Sequence, residues 1–399
     1  MVPKIDSDIG IFVYSTKFEG ASGRIKSTPD DFFVSEILDQ KTLSKISQTR
    51  GYAVYKLKKH GIDTNHALDE IFIVHGLRLK ALGLKDANAT TEQFVCSTST
   101  SKFTDKFSTN RYGLERIGFV AKPLTKKDMM ANHFEIKIED TMFSKIADFN
   151  EYDKVLNFYG YQRFGSKRPV SHLIGKAILQ NNFEEAVNLL LSFSTEYDLL
   201  GNTKIRKMLE DKSNYHKALN EIPPQMDLER AVLEEMVHHN DPLRAMRAIP
   251  LSIRRFFVQA FQSYIFNCST SLAFEEGEEL FLAKENDVCY DKKNVLGRFE
   301  NDPDQRLAIP LVGYSYYKKN RFDYQICKIL EREQIHAKDF FVKPMQEVSV
   351  EGGFRQAVIK CENFSVTEPT VSFTLSRGSY ATVLLREIIK PQDPMRSGF

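Results

Sequence analysis

The strongest constraint on the fold is the order in which hydrophobic patterns change along the 399-residue chain. Strand-like alternation marks the N-terminal half, as in GYAVYKLKK (51–59), where Ala53, Tyr55 and Leu57 share one face. From about residue 180 the pattern becomes helical, and IRRFFVQAFQSYIFN (253–267) predicts a core helix. Strand-like VSFTL and apolar YATVLLREII follow near the end. A pattern that returns after an interruption predicts a mainly helical domain inserted into a discontinuous mixed α/β domain.

A polar loop interrupts the predicted sheet in the segment ALGLKDANATTEQFV (81–95). Asp63 or Thr64 can cap a helix before this segment, and EQFVCST and HFEIKIED after it are predicted strands. Asp86 therefore lies in a loop at the end of a strand, where a rigid sheet can present its carboxylate. From residue type alone, the simpler interpretation is an Asp that stabilises a turn, because Gly83 and residues 86–88 are turn formers.

Composition excludes several classes of protein. No apolar run approaches the roughly 18 residues that cross a bilayer, and the first 30 residues do not resemble a signal peptide. We therefore expect a cytoplasmic protein without a membrane segment. The five cysteines contain no C-x-x-C and the nine histidines no H-x₃-H, so neither a zinc site nor a disulfide framework is predicted. Walker A and G-x-G-x-x-G motifs are absent too, so we expect no cofactor.

The net charge of +2 hides an uneven distribution. Residues 101–127 contain seven Lys or Arg and two acidic residues, a balance of 7 − 2 = +5. Residues 273–291 contain one Lys and seven acidic residues, a balance of 1 − 7 = −6. Separate basic and acidic regions are typical of an oriented polyanion binder. The alternative is that both are ordinary solvated surfaces.

Aromatic and polar residues are densest in NFYGYQRFG (157–165). Asn157 and Arg163 alternate there with rings such as Tyr159. Rings next to cations can stack unstacked RNA bases and neutralise phosphates. The alternative is an aromatic-rich turn that packs on the sheet.

Five segments, in this order along almost the whole chain, resemble the motifs of the TruD family of tRNA pseudouridine synthases, of archaeal and eukaryotic type. The segments are RIKSTPDDFFVSEI (24–37), GLKDANATTEQ (83–93), NFYGYQRFG (157–165), QAFQSYIFN (259–267) and RGSYATVLLREIIK (377–390). The family often has a basic residue after the catalytic Asp, where this chain has Ala87. Bacterial members have Phe at the position of Tyr159.

The resemblance implies an α+β fold with a two-lobed catalytic core and a mixed, largely antiparallel sheet. The core is expected at 1–181 and 356–399, with the inserted mainly helical α/β TRUD domain at 182–355. The implied reaction converts a uridine of tRNA, typically at position 13, to pseudouridine without a cofactor. Some eukaryotic relatives also act on other structured RNAs. We expect a monomer, because nothing in the sequence demands an interface.

The resemblance also assigns roles to residues. The Asp86 carboxylate attacks C1′ covalently, or it stabilises positive charge at C1′ and removes a C2′ proton. Lys26 is the expected cation that keeps Asp86 ionised when RNA excludes water. Asn157 is expected to hold the loop or the uracil edge, and Tyr159 to stack or share protons. The expected substrate contacts are Phe32, Lys85, Gln93, Arg163 and Arg386, with a structural role as the alternative for Gln93 and Arg386.

Two other functions stay open. A carboxylate-dependent RNA N-glycosidase would use the same bond cleavage but release the base. A non-catalytic tRNA-binding or folding module would need the basic surface and not Asp86.

Overall fold

The computed structural model describes residues 2–399 and confirms the predicted α+β class. The strands are β1 (Phe32–Leu38), β2 (Tyr52–His60), β3 (Leu79–Ala81), β4 (Thr90–Ser97), β5 (Lys106–Ser108), β6 (Tyr112–Val120), β7 (Met129–Lys137), β8 (Lys154–Leu156), β9 (Val288–Tyr290), β10 (Leu296–Arg298), β11 (Arg306–Leu311), β12 (Gly353–Gln356), β13 (Val358–Thr367) and β14 (Thr370–Ser376). The α-helices are α1 (Lys4–Asp8), α2 (Gln40–Leu43), α3 (Thr64–His75), α4 (Phe143–Ala147), α5 (Ser171–Leu179), α6 (Phe183–Ser192), α7 (Leu200–Met208), α8 (Tyr215–Glu221), α9 (Asp227–His239), α10 (Pro242–Ala248), α11 (Leu251–Glu275), α12 (Asp323–Arg332) and α13 (Ala381–Ile389).

The chain forms two compact units. The sheet unit comprises Thr16–Val155 and Ile359–Phe399, and the helical unit comprises Leu156–Val358 with residues 2–15. Both units are therefore assembled from separate stretches of the chain. The predicted domain boundaries at 181/182 and 355/356 mark where an inserted domain begins and ends in the sequence. The two compact units divide the chain by packing, which is a different criterion, so the predicted boundaries stay a prediction.

The large sheet has the strand order β5-β6-β2-β4-β1-β7-β14-β13-β8, and β3 pairs with β4. Strands β1 and β4 run parallel, with Val34 opposite Thr91. The pairs from β5 to β13 are otherwise antiparallel. The predicted mixed, largely antiparallel sheet is confirmed.

The sheet unit buries the alternating face that the sequence predicts. Ala53, Tyr55 and Leu57 of β2 are each no more than 1% exposed and pack with Ile71 of α3. Helix α3 begins after Asp63, whose side chain accepts the backbone N–H groups of two residues in the first turn. The cap thus fixes where α3 starts, directly after the turn that follows β2.

The helical unit is centred on α11, which spans 25 residues. Phe257, Phe261 and Ile265 are buried there, which confirms the predicted core helix. Helix α5 approaches it closely at Gly175, where an added Cβ would lie 2.0 Å from the carbonyl oxygen of Phe257. Only glycine permits that approach.

The small sheet of this unit has the order β10-β9-β11-β12. Within residues 2–399, no helix is both long and apolar enough to span a bilayer.

Candidate active site

The loop between β3 and β4 presents Asp86 with an exposed side chain. The loop backbone is held from two sides. The N–H of Lys85 donates to Thr64 Oγ1 at 2.9 Å, and Gln93 Nε2 donates to the carbonyl oxygen of Gly83 at 3.2 Å. Gln93 is fully buried on β4, and Thr64 is the first residue of α3. An accessible carboxylate therefore stands on a braced loop.

Lys85 faces the interior, away from its exposed neighbour Asp86, as expected for adjacent residues of an extended segment. Its Nζ lies 2.7 Å from Oε1 of Glu36, whose side chain is completely buried. The other carboxylate oxygen of Glu36 accepts the N–H of Phe94 at 2.8 Å. The predicted substrate contacts of Lys85 and Gln93 stay predictions, and these bonds favour loop-bracing roles.

Lys26 lies beside Phe32, on the face of its ring. The ammonium is 4.6 Å from the ring centroid, and the ring edge meets Phe134 at a centroid distance of 6.2 Å. Burial lowers the pKa of Lys26, and the charge of Asp86 opposes that shift. Lys26 adopts a left-handed backbone with φ +56°, which costs a non-glycine residue free energy. Lys26 thus contacts the ring of Phe32 and lies close enough to Asp86 to interact with its charge.

Lys59 is a residue of this region that the motifs do not contain. It is 1% exposed, and its Nζ donates to the carbonyl oxygens of Asp86 at 2.7 Å and Ile62 at 2.8 Å. Burial lowers the pKa of Lys59 to about 8, whereas Asp86 and Asp63 act to raise it. The alternation of β2 carries the signal for this residue, because a lysine two positions after Leu57 falls on the core face.

Asn157 is buried in the helical unit with a fixed amide. Its Nδ2 donates to the carbonyl oxygen of Gln356 at 3.0 Å. Its Oδ1 accepts from Arg355 Nη2 at 2.6 Å, and its carbonyl oxygen accepts from Arg355 Nε at 2.9 Å. Arg355 is a second residue that the motifs do not contain, and nothing in its local sequence signals this contact.

Tyr159 is held by rings and cations of the same unit. The guanidinium of Arg355 lies 4.0 Å from its ring centroid and that of Arg163 lies 5.5 Å away, both within cation–π range. Phe266 meets the ring edge-on at 5.6 Å. The Tyr159 N–H donates to Asn267 Oδ1 at 2.8 Å. The structure therefore groups Asn157, Tyr159 and Arg163 around Arg355.

Arg386 is 1% exposed on α13 of the sheet unit. Its Nη1 lies 3.4 Å from Oε1 of Glu387, and the other oxygen of Glu387 accepts from the N–H and hydroxyl of Thr16. Burial favours the structural alternative for Arg386 over its predicted substrate contact.

Among residues 2–399, His, Cys, Asp and Glu side chains form no group of three that could hold a metal ion.

Comparison with known proteins supplies the family. The model of tRNA pseudouridine synthase D (TruD) matches residues 8–388. The chain belongs to the TruD family. A probable tRNA pseudouridine synthase D of Pyrobaculum islandicum is 31% identical, over 100% of this chain and 99% of that protein. One of Methanosarcina acetivorans is 29% identical, over 99% of this chain and 98% of that protein.

The TruD assignment also holds at the level of structure. A crystal structure assigned to tRNA pseudouridine synthase D of Methanosarcina mazei matches with a TM-score of 0.77 and 25% sequence identity. The match covers 99% of each chain. The family resemblance of the five motifs is thereby confirmed over the whole fold, including the helical unit.

Proposed function

We propose that this TruD-family chain is a tRNA pseudouridine synthase in which Asp86 is the catalytic nucleophile. One observation carries the assignment of the nucleophile: an exposed carboxylate stands on a loop whose backbone is fixed by buried side chains. Nucleophilic or charge-stabilising carboxylates need that combination of access and fixed orientation.

The reaction is an isomerisation that breaks the C1′–N1 bond, turns the uracil and joins C5 to C1′. After the new bond forms, the proton on C5 leaves and N1 gains a proton, so the product is an isomer of the substrate. Asp86 attacks C1′ as the C1′–N1 bond breaks, and C5 then displaces the carboxylate. Alternatively, Asp86 stabilises the positive charge at C1′, removes a C2′ proton and returns it when C5 joins C1′. Lys26 is the charge partner that favours the ionised carboxylate once RNA displaces water.

The remaining residues have proposed substrate roles. A uridine inside folded RNA must be flipped out, at a cost of a few kcal/mol. Stacking on Tyr159 or Phe32 and hydrogen bonds from the side-chain amide of Asn157 would offset that cost, and Arg163 would contact phosphate. The proposal also includes direct contacts from Lys85, Gln93 and Arg386, whose side chains bind partners inside the protein.

Position 13 of tRNA is the proposed target, and the protein is proposed to act as a cytoplasmic monomer. Residues 182–355 are the proposed inserted domain. Removal of this segment is expected to abolish tRNA binding and to leave the sheet unit folded. Gel-shift measurements test the binding, and circular dichroism tests the fold.

The test combines an unmodified tRNA transcript pool with single-nucleotide mapping of pseudouridine. Wild-type protein and Asp86→Asn, which is nearly isosteric, are compared under conditions in which both bind tRNA to the same extent. We expect pseudouridine at one position from wild type, and at least a 1,000-fold slower reaction from the variant. Equal product from both proteins would contradict the role of Asp86.

The same assay separates the two alternatives. Free uracil or an abasic site in place of pseudouridine would identify an N-glycosidase. Intact tRNA binding without any product, in both proteins, would favour a binding module. In that case charge reversal at Lys122, Lys126 and Lys127 would weaken binding, and Asp86→Asn would change nothing.

A further inference from the structure

Lys59 is a charged side chain enclosed in the sheet unit, with 1% exposure. It occupies a core-facing position of β2, where an apolar residue would satisfy packing alone. Burial of an ammonium costs several kcal/mol unless hydrogen bonds and charges compensate. A purely structural core therefore gains little from a lysine at this position.

The compensation that Lys59 receives comes from the Asp86 loop. Its Nζ donates to the main-chain oxygen of Asp86 at 2.7 Å and to that of Ile62 at 2.8 Å. The second acceptor precedes α3, so one ammonium ties the Asp86 peptide to β2 and to the turn before the helix. The charged groups that act on it are Asp86 and Asp63, which favour the protonated form, and Lys85, which opposes it.

We propose that Lys59 is a positioning residue for the isomerisation, which rests on the proposed function. It holds the Asp86 peptide in one orientation and, while protonated, places a positive charge at the main chain of Asp86. Its action differs from that of Lys26, because Lys59 acts through the main chain of the nucleophile and Lys26 lies on the ring of Phe32.

The test replaces Lys59 by Met, which keeps the approximate length of the side chain and removes both hydrogen bonds of its ammonium. The matched control is Lys58→Met on the same strand, where the side chain is 65% exposed and its Nζ lies 3.7 Å from Glu92. Single-turnover rates, tRNA dissociation constants and melting temperatures are measured for each protein. We expect the rate of Lys59→Met to fall about 100-fold, because small misplacements of reacting groups have effects of that size.

We expect the tRNA dissociation constant of Lys59→Met to stay within about threefold of wild type, and the control to match wild type in every measurement. A rate of Lys59→Met within about threefold of wild type would overturn the positioning role. No pseudouridine from wild type would overturn the proposed function itself, which is a different result.

A pH profile of Lys26→Met decides the case if Lys59→Met does not fold. This variant lacks the other lysine of the Asp86 region whose pKa burial lowers. Its rate is expected to decline as pH rises beyond about 8, where Lys59 loses its proton, while tRNA binding stays constant. A rate that stays flat from pH 7 to 9.5 would overturn the proposal. If Lys59→Met folds, the double variant with Lys26→Met should lack this alkaline decline.

Discussion

The two units hold their candidate site residues with different cations. In the sheet unit, Lys26 and Lys59 lie around the Asp86 loop, and burial lowers the pKa of both lysines. In the helical unit, Arg355 and Arg163 lie on the ring of Tyr159, at 4.0 and 5.5 Å from its centroid. A buried ammonium loses its proton readily, whereas a guanidinium keeps its charge and binds through a planar fork.

The difference indicates what each region must do. Under the proposed function, the lysines act on the carboxylate that reacts, and their charge can change with pH. The arginines hold the amide of Asn157 and the ring of Tyr159 in one arrangement, and Arg355 does so with hydrogen bonds of 2.6 and 2.9 Å to Asn157. We expect substitutions in the first region to change rate, and substitutions in the second to change stability as well.

The largest of three effects that test this comparison is expected from Arg355→Met. The change leaves Oδ1 and the carbonyl oxygen of Asn157 without the donors that Arg355 provides, and it removes a cation from the face of Tyr159. Such losses together cost about 3 kcal/mol. Urea unfolding measures the free energy, with Arg298→Met on the exposed strand β10 as the control. A loss below about 1 kcal/mol would remove the contrast between the units.

The next largest effect is a loss of stability at acid pH, caused by His172 in the helical unit. Burial lowers the pKa of His172 to about 4, from an ordinary value of 6.5, and its ring stacks on Tyr264 at 4.9 Å. Below pH 6.5 the unfolded chain binds a proton that the folded protein excludes, so the free energy of unfolding falls as pH drops towards 4. The loss at pH 5 is about 2 kcal/mol.

The control for this titration is His172→Phe, which keeps an aromatic ring between Phe164 and Tyr264. We expect its free energy of unfolding to lack the pH-dependent loss that His172 contributes between pH 6.5 and 4. An identical pH dependence in both proteins would show that another group causes the loss.

The smallest of the three effects is expected from Lys26→Met. Removal of the proposed charge partner of Asp86 is expected to slow pseudouridine formation about 10-fold, equivalent to about 1.4 kcal/mol. Stability is expected to change by less than about 1 kcal/mol, because burial already disfavours the Lys26 charge. Single-turnover kinetics and urea unfolding give the two values, with exposed Lys41→Met as the control. A large loss of stability without a loss of rate would reverse the comparison.

Much of the fold follows from local pattern. The alternation of β2 predicted its buried face, and the candidate caps Asp63 and Thr64 predicted the start of α3, where the structure has Asp63 as the cap. Each inference depends on a period or a cap that a few consecutive residues define.

The residues that local pattern missed depend on distant contacts. Lys59 could have been found, because its position on the core face of β2 is visible in the sequence. Arg355 could not, because it lies 198 positions from Asn157 in a strand of four residues. The expected roles of Asn157 and Tyr159 came from family motifs, which do not describe the side chains behind them.

Strand β7 lies between β1 and β14, with Phe134 opposite Phe373. During synthesis, β1 precedes β7, but β14 follows only after the roughly 200 residues of Leu156–Val358. At 5–20 residues per second, one edge of β7 stays without its partner for about 10–40 s. An open strand edge can pair with another chain. The nascent protein therefore passes through a period in which slow translation would lower its yield, whatever the stability of the finished fold.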